Sequence, residues 1–191
     1  MMSAETTAHQ TTHSNKLWLY VNIAIGVALI LAGVAVLFLM DKEPTTTRAV
    51  AVSPQQGKVA PGFSLPSLAG ETAALSDYKG QVVLINLWAT WCPPCKAEMP
   101  TLNAFYQTHK DEGFVVLAVN DQEDAITVNN FIKTNGFGFP VLLDMQSQVL
   151  DTYNVHALPT SFIIDRNGVI QYVHMGEISR QQLEEIVGPL L

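Results

Sequence analysis

The hydrophobic pattern divides the chain into a polar start, one long apolar block, a polar stretch and a remainder that alternates in short runs. Residues 1–16 are rich in Thr, Ser and His and hold too little apolar surface to fold alone, so they read as a disordered tail. His9 and His13 within it read as solvated tail residues, with metal binding as the alternative. Leu17 to Met40, LWLYVNIAIGVALILAGVAVLFLM, carries no charge and only Asn22 as a clearly polar residue. About 20 apolar residues cross a bilayer as a helix. Trp18 and Tyr20 stand at the first edge of the block, where amphipathic rings favour the membrane interface. The block exceeds the about 7–15 residues of a signal-peptide core. The small-residue motif Ala49-Val50-Ala51 lies far past its end, so an uncleaved anchor at 17–40 is expected over a leader cleaved before Val52. No cysteine follows the block directly, which argues against lipid attachment there. Residues 41–58, DKEPTTTRAVAVSPQQGK, have the Thr, Pro and Gln content of an extended tether.

From Val59 to Leu191 the pattern predicts one folded domain. Phe63 to Leu68 and Ala73 to Leu75 read as a small hairpin turning at Ala69-Gly70-Glu71. Residues 82–88, VVLINLW, are apolar almost throughout, as expected of a strand covered on both faces. Residues 93–110 read as a helix with Met99, Leu102, Phe105 and Tyr106 at helical spacing and with Pro100 as an expected kink. A buried strand over 114–119 follows, then a helix over 121–135 stopped by Asn135-Gly136, a short strand at 140–143 and a short helix at 146–153. Residues 160–164 and 169–174 read as a hairpin turning at Arg166-Asn167-Gly168. Ser179, with Gln182 three residues on, has capping-box spacing for a last helix ending near Gly188-Pro189. The order β-α-β-α-β-α-β-β-α predicts an α/β domain whose mixed sheet has parallel strands and a closing antiparallel hairpin.

Composition and charge then narrow the function. A chain of 191 residues holds one well-filled domain and an accessory segment. Its formal net charge of −7 and lack of a basic stripe argue against a nucleic-acid partner.

The candidate chemistry lies in Trp91-Cys92-Pro93-Pro94-Cys95, which holds both of the chain's 2 cysteines. The motif follows a buried strand and opens a helix, with Pro93 and Pro94 in the first turn, where no N–H is needed. Cys92 would then meet the unpaired N–H groups and the dipole of the helix N-terminus, which favour the thiolate and bring its pKa below the free value of about 8.5. α/β folds place their sites at this C-terminal edge of a central strand. Redox chemistry is the leading reading. A zinc site needs a second ligand pair, and His109, His156 and His174 are scattered. A purely structural disulfide across so short a loop would constrain little of the unfolded chain.

These motifs resemble the thioredoxin superfamily, and within it the membrane-anchored TlpA/ResA-like (redoxin-type) thiol–disulfide oxidoreductases of bacteria. The resemblance covers residues 59–191. It rests on Val59-Ala60-Pro61-Gly62-Phe63, on the run Asn86 to Cys95, on Lys96-Ala97-Glu98-Met99-Pro100 and on Ala157 to Phe162. It implies a thioredoxin-like fold with a mixed central sheet, an N-terminal β-hairpin and a central αβ insertion, preceded by the membrane helix. It also implies a cis peptide between Leu158 and Pro159, with Leu158 backbone groups free to pair with a substrate strand. Asn86 stands where thioredoxin has a buried aspartate, and an asparagine cannot exchange a proton. Glu98, three residues after Cys95, becomes the expected proton acceptor, with partial burial raising its pKa; a solvated helix glutamate is the alternative. Trp91 is expected to shape a substrate platform rather than to fill the core. His156 is a further residue near Pro159 that could line the site or lie at the surface.

The function this implies is reduction of disulfides in partner proteins through Cys92 and Cys95, with no metal and no cofactor beyond that cysteine pair. The family's clients include apocytochrome c and copper-site assembly proteins of cytochrome oxidase, and its electron donor is a membrane thiol carrier of the DsbD type. The expected location is the cytoplasmic (inner) membrane, single-pass, with the domain on the extracytoplasmic or periplasmic side. The charges flanking the apolar block do not decide orientation, since Lys16 precedes it and Lys42 and Arg48 follow. Two other classes share features of this sequence. Thiol peroxidases of the peroxiredoxin type share the Ala60-Pro61-x-Phe63 start, but Ala89 replaces the threonine that their reactive site carries three residues before the cysteine. A copper metallochaperone would use the same cysteine pair as thiolate ligands.

Overall fold

The computed structural model describes residues 12–40 and 55–191. The expected tail up to residue 11 and the tether over 41–54 lie outside the described residues. Helix α1 runs Thr12–Met40, beginning inside the stretch expected to be tail. Its window Trp18–Ala35 has a mean hydropathy of 2.1 with no residue buried, long and apolar enough to cross a membrane. Asn22, the one polar side chain in that window, donates its Nδ2 to the Trp18 carbonyl at 2.7 Å. Its amide N–H therefore has a partner within the helix, where lipid would supply none.

The helix and the domain are separate compact units. The domain carries the thioredoxin-like arrangement the sequence implies. Strands β1 (Ser64–Pro66) and β2 (Thr72–Ala74) form the N-terminal hairpin. The central sheet holds β3 (Val82–Trp88), β4 (Phe114–Asp121), β5 (Val141–Asp144), β6 (Thr160–Ile164) and β7 (Ile170–Met175), in the order β5-β4-β3-β6-β7. Strands β3, β4 and β5 are parallel, and β6 and β7 close the sheet as an antiparallel hairpin. Gly168 adopts φ 81° in the β6–β7 turn, a backbone conformation that glycine takes without steric cost. Helix α3 (Ala125–Asn135) with β5 forms the αβ insertion at the β4 edge. Ser67 bridges to Leu142 and so brings the first hairpin against β5, which covers an otherwise open strand edge.

Alternate side chains of β3 enter two cores. Val82, Leu84 and Trp88 pack with α2 (Pro93–His109), α3 and α5 (Arg180–Val187). Val83, Ile85 and Leu87 pack with the first hairpin, Tyr153 and α4 (Gln148–Thr152). Every β3 residue is buried, which is why the strand reads as an apolar run broken only by Asn86. Asn86 follows the Leu84–Trp88 parity and therefore faces the α2 layer.

Three expected boundaries are corrected by strand pairing and hydrogen bonds. The helix expected over 121–135 begins at Ala125, because Asp121 still pairs with Asp144 in the sheet. Gln122 turns the chain at φ 55°, and the Asp124 carboxylate caps α3 by accepting from the N–H groups of Ile126 at 2.9 Å and Thr127 at 3.0 Å. The helix expected over 146–153 shortens to Gln148–Thr152, with the Asp144 carboxylate accepting from Gln148 and Val149 N–H. Gly57, placed in the tether by sequence, already donates its N–H to the Ile170 carbonyl. At the chain's end, the capping box of Ser179 and Gln182 forms as the spacing implies.

Candidate active site

Strand β3 ends at Trp88, and residues 89–92 turn directly into α2. Cys92 is the N-cap of that helix and Pro93 and Pro94 fill its first turn. The Cys92 N–H donates to the Ala89 carbonyl at 3.2 Å, which closes the turn. Cys92 and Cys95 form a disulfide, and Cys92 Sγ accepts from the Cys95 N–H at 3.3 Å. That N–H is one of the donors a helix leaves unpaired at its start, and the helix dipole adds to its pull on a negative sulfur. Cys92 keeps 3% exposure while Cys95 has 0%, so of the two residues only Cys92 borders solvent.

One turn further along α2, Glu98 is fully buried. Its Oε1 accepts from Asn86 Nδ2 at 2.7 Å and its Oε2 from the Ile178 N–H at 2.9 Å. Asn86 Nδ2 also donates to Ser161 Oγ at 3.0 Å. Burial pushes the Glu98 carboxyl up from 4.5 to about 7; the bonds from Ile178 and Asn86 oppose the shift, and the Glu177 charge adds to it. A carboxyl with that pKa takes or gives a proton near neutral pH. The solvated-glutamate alternative is excluded by its burial.

The Leu158–Pro159 peptide is cis. Thr160 pairs with Leu87 at the end of β3, which brings Pro159 beside the turn that leads to Cys92. The Pro159 carbonyl accepts from Gly176 N–H at 2.8 Å, whereas the Leu158 N–H and C=O have no backbone partner among the described residues. Trp91 is 65% exposed, so it is a surface ring beside the disulfide and not a core aromatic. His156 is exposed. Among the described residues, no group of three His, Cys, Asp or Glu is placed to hold a metal ion.

Residues 56–173 match the AhpC/TSA family. The chain belongs to the AhpC/TSA family. This AhpC/TSA protein is 43% identical over 140 residues to the thiol-disulfide oxidoreductase ResA of Geobacillus kaustophilus, covering 73% of this chain and 78% of the relative. It is 42% identical to the protein of the same name in Bacillus thuringiensis subsp. konkukian, covering 68% and 75% of the two chains. Among solved structures it resembles StoA from Bacillus subtilis, with a TM-score of 0.59 and 31% identity over 68% of this chain and 98% of the other. A thiol:disulfide interchange protein of the thioredoxin family from Chlorobium tepidum gives a TM-score of 0.65 at 29% identity, over 71% and 97%. This AhpC/TSA member is a ResA-like thiol–disulfide oxidoreductase, and its clients are disulfide-bearing proteins.

Part of the site of this AhpC/TSA enzyme is not legible in its sequence. Ser161 and Ile178 complete the Glu98 network from far along the chain. Thr90, Asn120 and Glu123 form a second polar cluster behind the Cys92 turn. The one local sign of that cluster is a polar run, Asn120 to Asp124, at the end of an otherwise apolar strand.

Proposed function

We propose that Leu17 to Met40 anchors this oxidoreductase in the cytoplasmic membrane, with the residues between Met40 and Gly57 as tether, and that the domain reduces disulfides of client proteins on the extracytoplasmic side. The Cys92 thiolate attacks one client sulfur, forming a mixed disulfide; the other client sulfur leaves as a thiolate and takes a proton from water. Cys95 passes its proton to the Glu98 carboxylate and attacks Cys92 Sγ. The bond from Cys92 to the first client sulfur breaks, that sulfur leaves as a thiolate, and two electrons have moved from the cysteine pair to the client. The pair is the only redox group the cycle uses. Leu158 offers its unpaired backbone groups to an extended client segment, while Pro159 and the exposed Trp91 ring border the attacking sulfur. A reductant on the oxidising side of the membrane needs a supply of electrons, which a DsbD-type dithiol carrier provides. Apocytochrome c, whose haem-binding cysteines must be reduced, is the client class this reading favours.

The observation that carries the reading is the Cys92–Cys95 disulfide at the mouth of α2 with Glu98 buried one turn beyond it. A peroxidase would need a hydroxyl where Ala89 stands, and the nearby Thr90 hydroxyl already donates to Glu123. The test is a Cys95→Ala variant expressed in membranes. Without the resolving thiol, Cys92 should accumulate in mixed disulfides with its clients, released by dithiothreitol and identified by mass spectrometry. Recovery of cytochrome c precursors among them is expected, and absence of any adduct through Cys92 would contradict the proposed order of attack.

A further inference from the structure

The turn that carries the attacking sulfur is gripped from the neighbouring strand. Between Trp88 and Pro93 the chain has four residues to leave the sheet and start a helix, and Thr90 is the second of them. Its N–H donates to Glu123 Oε2 at 2.6 Å, and its hydroxyl donates to Glu123 Oε1. The same carboxylate accepts from Asn120 Nδ2 at 2.7 Å. Asn120 is fully buried in β4, in register with Trp88. Glu123 is thus fixed through Asn120 to the sheet while both its oxygens hold Thr90. The positive φ of Gln122 and the Asp124 cap of α3 set where Glu123 leaves the sheet. Bonds from neutral donors to a carboxylate are among the stronger ones a protein makes. On its far side, the turn ends in the Cys92 N–H bonded to Ala89 and the Cys92 sulfur bonded to the Cys95 N–H.

We propose that Glu123 is a positioning residue for Cys92: by holding Thr90 at two points it keeps the 89–92 turn in the shape that presents the sulfur to the helix mouth and to the client. The proposal rests on the reading that Cys92 is the attacking sulfur. Placement, and not charge, is the active property, because a neutral amide can serve the same three partners. A glutamine oxygen accepts from the Thr90 N–H and Asn120 Nδ2, and its NH2 donates to the Thr90 oxygen once that hydroxyl rotates. An alanine serves none of them. A misplacement of about 1 Å in a reacting group is enough to cost up to about a hundredfold in rate.

The test uses the detergent-solubilised full chain, reduced, with a small aromatic disulfide as oxidant. Rates of Cys92 attack are compared for the wild type, Glu123→Ala, Glu123→Gln and Thr90→Val. Circular dichroism and the unfolding midpoint establish that each variant is folded. Glu123→Ala is expected to slow attack by about tenfold or more. Glu123→Gln should stay close to the wild type, and Thr90→Val, which keeps the backbone bond, should fall between. Thr90→Val carries the test if the alanine variant does not fold. Wild-type rates in Glu123→Ala or in Thr90→Val would overturn the proposal, as would Glu123→Gln as slow as Glu123→Ala, which would assign the effect to charge. An unreactive wild type would instead refute the assignment of Cys92.

Discussion

Cys92→Ser should reduce the rate of protein-disulfide reduction to that of the uncatalysed reaction. A serine oxygen cannot form the mixed disulfide, so no route remains for two electrons to leave the pair through position 92. Cys95 cannot take over, because it has 0% exposure against 3% for Cys92 and lies behind the first turn of α2. The substitution suits the fold, since serine is among the preferred N-cap residues and can accept the Cys95 N–H bond that sulfur accepts now. The unfolding midpoint should therefore match that of the reduced wild type while insulin reduction with a recycling dithiol disappears. Residual catalysis above the dithiol background would mean that Cys95 attacks clients directly.

Glu98→Gln should produce the largest change in how stability depends on pH. The folded-state pKa of about 7 exceeds the ordinary 4.5, so the folded domain holds this proton over a range in which the unfolded chain has lost it. The contribution is fully present below about pH 4.5 and is lost as pH rises through about 7. The shift corresponds to about 3 kcal/mol between those limits, as an order of magnitude. Glutamine cannot ionise, and Asn86 can receive it: the Asn86 Oδ1 has no partner among the described residues, so a flip of that amide supplies an acceptor for the new NH2. Urea unfolding of the oxidised protein across that pH range should show the wild type weakening with rising pH relative to Glu98→Gln. Parallel pH profiles for the two proteins would mean that Glu98 is not held protonated. If the carboxylate also receives the Cys95 proton, Glu98→Gln should lose the corresponding inflection in the pH dependence of mixed-disulfide resolution.

What could be read in the sequence was local. The β3 and β6 strands were legible because both faces of each are covered, which leaves short, mainly apolar runs with no competing helical period. Cys92, Cys95 and Glu98 were legible as a group because one helix places them, and their spacing alone determines how far apart they stand along it. The start of α3 was not, because Asp121 stays in β4 only through its pairing with Asp144 across the insertion. The same limit applies to the site. Asn86 was noticed, yet its partners Glu98 and Ser161, and the Ile178 N–H that donates to Glu98 in turn, converge from three other elements or loops. Glu123 fell inside the helix expected over 121–135, and only the parallel pairing of β3 with β4 brings it to Thr90. Polar residues whose partners are on other strands leave no periodic trace in a single chain.

Each step of the proposed exchange depends on a sulfur whose negative charge is favoured by the start of α2. The most direct measurement is the rate at which iodoacetamide alkylates Cys92 in the reduced protein, followed against pH and located by mass spectrometry. The inflection is expected clearly below the free-thiol value of about 8.5. An inflection at or above that value would contradict the claim that the helix mouth activates this cysteine.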